Sequence, residues 1–146
     1  MTSKYDDIEM QNKRYVSHSE AETIEFAKNL AAAFKGDEVV LLQGELGAGK
    51  TVFTKGLAAG LGMEDVTQVC SPSFTLINIY QARVPIFHMD LYRLGTQADI
   101  STVGWEDYLG QGVLVVEWAE KLDYEEPAIR IAITVGKNEE RTISIV

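Results

Sequence analysis

EVVLLQGELGAGKTVFTKGLAAGLG, Glu38–Gly62, decides how the rest of the chain is read. Gly44, four residues, and then Gly49-Lys50-Thr51 fit the G-x-x-x-x-G-K-[ST] pattern of a phosphate-binding loop. Such a loop wraps phosphate with backbone N–H groups, so side chains that would block approach are missing at Gly44, Gly47 and Gly49. The helix that follows adds the positive end of its dipole. Glu45, Leu46, Gly47, Ala48, Gly49, Lys50, Thr51 and Val52 are the loop positions expected against the nucleotide. Lys50 would reach the β- and γ-phosphates, and the Thr51 hydroxyl would take a Mg²⁺ coordination position. The flanks agree with this reading. EVVLLQ is a short aliphatic run suited to a strand buried on both faces, and TVFTKGLAAGL reads as a helix ending near Gly60–Gly62.

Outward from this centre, SHSEAETIEFAKNLAAAF places Ala21, Ile24, Ala27, Leu30, Ala31 and Phe34 at helical spacing. Ser19 with Glu22 three residues on predicts a capping box, and Lys35-Gly36-Asp37 a closing turn. FTLINIY (Phe74–Tyr80) and VPIFHMD (Val84–Asp90) read as two strands joined by a short turn. LYRLGTQADISTVGWEDYL reads as loop with helical turns, and VLVVEW (Val113–Trp118) as a second continuous apolar strand. AIRIAITV and RTISIV flank GKNEE as a hairpin. The alternation predicts a single α/β domain over residues 1–146, a three-layer P-loop NTPase-like fold. Its mixed sheet would have a parallel centre and antiparallel additions, with about the first 16 residues polar and flexible.

Composition narrows the partners. The 146 residues carry 13 Lys and Arg against 22 Asp and Glu, a formal net charge of −9. The basic residues are scattered, so a polyanion would be repelled over most of the surface. A role involving RNA would therefore run through a protein partner. The single cysteine, Cys70, rules out an internal disulfide and reads as a buried small hydrophobe. The opening MTSKYDDIEM has no apolar core of signal-peptide length, and no later run approaches a membrane span, so a cytoplasmic protein is expected.

A phosphate loop of this kind needs a carboxylate at the end of a neighbouring strand to hold Mg²⁺. Asp90 ends VPIFHMD and Glu117 ends VLVVE, which puts both at the carboxyl edge where ligands of such sheets gather. One would associate with the metal and the other polarise the attacking water, in an order the sequence leaves open. The hydroxyls of Ser71, Ser73 and Thr75 suit a γ-phosphate-sensing loop or plain turn capping. Arg93 suits a charge-stabilising finger or a surface ion pair, and Trp118 suits base stacking or core packing. His88 alternates with core residues and gains little weight as a catalyst, and His18 reads as solvent-exposed. Guanine recognition by N-K-x-D is missing after the loop. Asn12-Lys13 precedes it and has Tyr15 where Asp is needed, so adenine is the expected base.

GELGAGKT, SPSFTLINIY, HMDLYRL, GWEDYL and VVEWAEKL, in this order, give the chain a specific resemblance spanning roughly Ser19 to Arg141. It resembles the bacterial TsaE (formerly YjeE) family, small P-loop ATPases of tRNA threonylcarbamoyladenosine synthesis. The resemblance implies ATP and Mg²⁺ as ligands, Lys50 and Thr51 on phosphate and metal, and Asp90 and Glu117 as the acidic metal and water partners. It also implies a functional Trp118 within the family's E-W pair. The implied partners are the TsaB and TsaD proteins, whose heterodimer places the threonylcarbamoyl group on the adenosine 3′ of the tRNA anticodon. ATP hydrolysis by the TsaE-like member would reset that complex between turnovers, with tRNA met only through the partners. The chain departs from the family's pattern at Ser73, Val52 and Ile79, where Thr, Thr and an acid are usual. None of the three removes a phosphate or metal group, though Val52 can donate no side-chain hydrogen bond.

Two rival readings stay open beside it. A small-molecule kinase would share the loop but needs a basic lid and an acceptor pocket. A nucleotide-dependent binding module would hold ATP without turning it over.

Overall fold

The aliphatic run after Glu38 lies in the middle of the sheet, and the polar segments flank it. A computed structural model of the chain describes residues 13–72 and 76–146. In chain order the elements are β1 (Arg14–Ser17), α1 (Glu20–Ala32), β2 (Val39–Gln43), α2 (Lys50–Gly60), β3 (Ile77–Gln81) and β4 (Pro85–Asp90). There follow α3 (Gln97–Ser101), β5 (Val113–Glu117), β6 (Ile129–Val135) and β7 (Arg141–Ile145). Short 3₁₀ turns fill several of the connections, among them Trp105–Tyr108 and Ala119–Lys121. Among the described residues the strands form one seven-stranded sheet in the order β1-β7-β6-β2-β5-β4-β3. The pairs β6–β2, β2–β5 and β5–β4 are parallel, and β3, β7 and β1 are added antiparallel at the two sides. This is the mixed sheet with a parallel centre read from the sequence.

The side-chain period of two divides β2 between two cores. Val40 and Leu42 join a cluster with Leu30, Phe53 and Leu57 of α1 and α2. Val39 and Leu41 face the other way, against Met89, Leu91, Ile100 and Trp105. Both faces are therefore covered, as a parallel centre requires. Glu38, buried just before β2, accepts three N–H bonds from Lys35, Gly36 and Asp37 at 2.7, 2.9 and 3.1 Å. The carboxylate thus closes the Lys35-Gly36-Asp37 turn and is fully bonded where it leaves water.

Helix α1 starts as its cap predicts. Ser19 Oγ accepts the Glu22 N–H at 3.1 Å, while Glu22 Oε1 accepts from the His18 N–H at 3.0 Å. The return bond of the capping box thus reaches one residue further back, and that N–H holds the Glu22 carboxyl below its ordinary pKa. Helices α1 and α2 pack closely because α2 presents Gly56 and Gly60 to α1. A Cβ at Gly56 would stand 2.5 Å from both the Ala27 Cβ and the Ile24 carbonyl oxygen. Gly56→Ala is expected to lower unfolding stability by about 1–3 kcal/mol, read by urea denaturation, since the backbone contact cannot give way as a side chain would.

The structure departs from the sequence reading at the start of the chain. The flexible segment expected over residues 1–16 lies outside the described residues as far as residue 12, but Arg14–Ser17 form edge strand β1. RYVS pairs with β7 from Arg14↔Ser144 to Ser17↔Arg141, and Tyr15 stacks on Phe26 with ring centroids 4.6 Å apart. Its polar composition reflects an edge position, where only one neighbour and one apolar anchor are needed. Among the described residues, no helix is long and apolar enough to cross a membrane.

Candidate active site

Because β2, β4 and β5 run parallel, their carboxyl ends lie along one edge of the sheet. The register sets Leu42 opposite Glu117 and Glu117 opposite Asp90, so the residues leading into the loop meet both acids there. A cavity of about 600 Å³ opens along this edge, a volume ordinary for a small-ligand site. Leu46, Gly47, Ala48, Gly49, Lys50, Thr51, Val52, Asp90, Glu117 and Trp118 all line it. Gly44, Cys70 and His88 do not, and neither does Glu45, whose side chain is exposed and whose carbonyl turns inward to Lys50.

The loop carries the backbone geometry its glycines allow. Gly49 caps α2 with φ +106°, a left-handed conformation costly for other residues, and its carbonyl accepts the Phe53 N–H at 2.9 Å. A Cβ placed at Gly47 or Gly49 would meet no protein atom within 4 Å. That room lies against a helix N-terminus, where an anion's oxygens would be held.

Lys50 is 5% exposed, and its Nζ donates to the Gly44 and Glu45 carbonyl oxygens at 2.5 and 2.9 Å. The ammonium also sits 4.3 Å from the Trp118 ring centroid. Burial pushes its pKa below the ordinary lysine value, while Glu117, Glu120 and Asp90 pull it back. Trp118 itself has φ +58°, a conformation rare for a bulky residue, and packs on Tyr92 with centroids 5.0 Å apart. It therefore faces the cavity beside Lys50 while its body rests on the second core.

Glu117 is 3% exposed, and the Thr51 hydroxyl reaches both its oxygens at 3.2 and 3.0 Å. Asp90 is half-buried at the same edge. Its Oδ1 accepts from the Tyr92 N–H at 2.9 Å, and its Oδ2 accepts from the Ser71 hydroxyl. Of the hydroxyls in SPSFT, Ser71 thus reaches a site carboxylate, while Ser73 and Thr75 lie outside the described residues. Thr51, Glu117 and Asp90 offer only oxygen donors, the chemistry Mg²⁺ prefers. No trio of His, Cys, Asp and Glu gathers into a metal cage among the described residues.

The structure also brings in Arg141, which the sequence reading passed over, and places Arg93, His18, His88 and Cys70. Arg141, in β7, lines the cavity and donates from Nε to the Ala48 carbonyl at 3.0 Å. Arg93 lines it too, so two arginines scattered in sequence join Lys50 at one opening. His18 is exposed as expected and lines the same cavity. His88 is fully buried and its Nε2 bonds to Glu117 Oε2, a contact no local motif announces. Cys70 is exposed rather than buried, because the packing there uses its backbone: the Tyr80 hydroxyl bonds to the Cys70 carbonyl at 2.9 Å.

Comparison with known proteins identifies the family. The family model described as "Threonylcarbamoyl adenosine biosynthesis protein TsaE" matches residues 17–143. The chain belongs to the TsaE family. A TsaE protein from Treponema pallidum is 39% identical over 123 residues, covering 84% of this chain and 90% of that protein. One from Bacillus subtilis is 40% identical over 139 residues, covering 92% and 85% respectively. Both carry the name tRNA threonylcarbamoyladenosine biosynthesis protein TsaE. The crystal structure of YdiB from Bacillus subtilis superposes with a TM-score of 0.73 at 35% identity. It covers 92% of this chain and 84% of that one. The TsaE match and the mixed sheet together fix the fold as P-loop NTPase-like.

Proposed function

We propose that this TsaE-family chain binds ATP with Mg²⁺ and hydrolyses it to reset the TsaB–TsaD complex between rounds of tRNA threonylcarbamoylation. One observation carries the nucleotide reading. Lys50, Thr51 and Glu117 converge on a cavity against the helix N-terminus, with Thr51 Oγ1 donating to the Glu117 carboxylate at 3.0 Å. The loop amides and Lys50 would hold the β- and γ-phosphates, and Thr51 would turn its hydroxyl to the metal. Asp90, fixed by Ser71 and the Tyr92 N–H, would face the same ion through water. Glu117 would orient the attacking water and draw its proton. Mg²⁺, when bound, would neutralise charge that develops on the phosphate oxygens. The base would lie towards His18 and Ser19, which also line the cavity.

The net charge of −9 supports contact with tRNA through partners rather than directly. A cytoplasmic site of action follows from that role. Titration calorimetry with ATP and with GTP, repeated in the presence of TsaB–TsaD, tests base choice and partner coupling together. ATP is expected to bind, GTP to bind at least about tenfold more weakly, and the partner pair to tighten ATP binding by coupling of about 1 kcal/mol or more. Equal affinity for the two nucleotides, or an ATP affinity indifferent to the partners, would contradict the proposal.

A further inference from the structure

Behind Glu117, on the side away from the cavity, runs a buried polar chain that the mechanism above does not use. His88 lies on β4, two residues before Asp90 and so on the same face of the sheet. It is fully buried, with Nε2 on Glu117 Oε2 and Nδ1 2.9 Å from the Tyr80 hydroxyl. Tyr80, from the neighbouring antiparallel strand β3, reaches on to the Cys70 carbonyl at 2.9 Å. Cys70 precedes Ser71, whose hydroxyl holds Asp90. The chain therefore starts at one site acid and returns, through the backbone at Cys70 and Ser71, to the other.

A carboxylate only accepts hydrogen bonds, so His88 Nε2 carries the proton in its contact with Glu117. In the neutral ring Nδ1 then accepts from Tyr80, whose single hydroxyl hydrogen serves either His88 or the Cys70 carbonyl. Burying an imidazole, a phenol and a carboxylate together costs stability that aliphatic side chains at the same positions would not. Ile86 and Val115 beside His88 on this face are apolar, while Asn78, paired with it across β3, donates to the Cys70 carbonyl at 3.1 Å and belongs to the same polar chain.

The two side-chain partners of Glu117 hold it differently. Thr51 has a single hydroxyl hydrogen to share between both carboxylate oxygens, and that hydrogen would stay available to one of them if the hydroxyl oxygen met a metal ion. His88 is the other side-chain donor to Glu117 among the described residues, with its Nε2 on Oε2 alone. We infer that His88, backed by Tyr80, is a positioning residue that pins Oε2 and so keeps the Glu117 carboxylate aimed at the cavity. This rests on the reading of Glu117 as the water-orienting acid.

The test measures ATP hydrolysis and ATP affinity by the full chain, with and without the partner pair, for His88→Leu, His88→Gln, Tyr80→Phe and Glu117→Gln. Removing an orienting partner of this kind costs about 10–100-fold, so His88→Leu is expected to lose that much kcat with ATP affinity within about twofold of wild type. Glutamine places an amide N–H near the former Nε2, so His88→Gln is expected to recover kcat to within about threefold of wild type, and Tyr80→Phe to lose about three- to tenfold. A structural role alone would lower stability in Gln and Leu variants alike without this ordering. Wild-type kcat in His88→Leu, or a His88→Gln variant as slow as His88→Leu, would overturn the inference. Should His88→Leu not fold, Tyr80→Phe decides: a lowered kcat at unchanged ATP affinity supports it, and wild-type kcat overturns it. If Glu117→Gln itself hydrolyses ATP at the wild-type rate, the reading of Glu117 fails first.

Discussion

Glu117→Gln is expected to lower ATP hydrolysis by about 10²–10⁴-fold while ATP still binds, since a positioned general base contributes on that order. Glutamine keeps the size of the side chain, and its amide oxygen can still accept from the Thr51 hydroxyl. Its amide nitrogen can donate to His88 if that ring shifts its proton to Nδ1, so the buried chain to Tyr80 stays bonded. What disappears is a carboxylate able to orient and deprotonate water. Hydrolysis assayed beside calorimetric ATP binding separates the outcomes. Lost turnover with retained binding marks catalysis, whereas wild type and variant equally inert with partners present would favour a nucleotide-dependent binding module.

Lys50→Ala is expected to fail at the earlier step. Hydrogen bonds to charged groups contribute about 1.5–3 kcal/mol, so losing the ammonium should weaken ATP binding by about 10–100-fold. Turnover should fall at least as far, because the same group would meet charge developing on the γ-phosphate. Calorimetry on the variant checks this directly. The contrast with Glu117→Gln is the informative part: one substitution removes affinity, the other removes chemistry. Lys50 is buried and already bonded to the Gly44 and Glu45 carbonyls, so the alanine variant also releases two loop oxygens to solvent. A melting curve beside the calorimetry separates loop loosening from lost phosphate contact.

Much of the frame was legible in the chain because local signals agreed with one another. The aliphatic runs of β2 and β5 are buried on both faces and could only be central strands. Ser19 and Glu22 mark the start of α1, and the glycine loop marks the start of α2. Parallel pairing then carries Asp90 and Glu117 to the edge where the loop lies, which is why two acids far apart in sequence could be named for one site.

What escaped notice depends on contacts between distant segments. Arg141 lies 93 residues from Ala48, whose carbonyl it binds, and no spacing rule joins them. β1 is too short and polar to read as a strand until β7 supplies its partner. His88 did leave a trace, a polar residue at a core position two before Asp90. Its meaning needed the neighbouring strand, since Glu117 becomes its partner only through the β4–β5 register. Cys70 misled because burial was inferred from residue type, whereas its place follows from the hydrogen bond between its carbonyl and Tyr80. Glu45 was grouped with the loop by position, yet only its backbone faces inward.

The central proposal is ATP turnover coupled to the threonylcarbamoylation machinery, and the steady-state rate of ATP hydrolysis with and without TsaB–TsaD tests it most directly. A slow rate alone and a rise of about tenfold or more with the pair present is the expected result, equivalent to about 1.4 kcal/mol off the barrier. Equal turnover in the two conditions would contradict it.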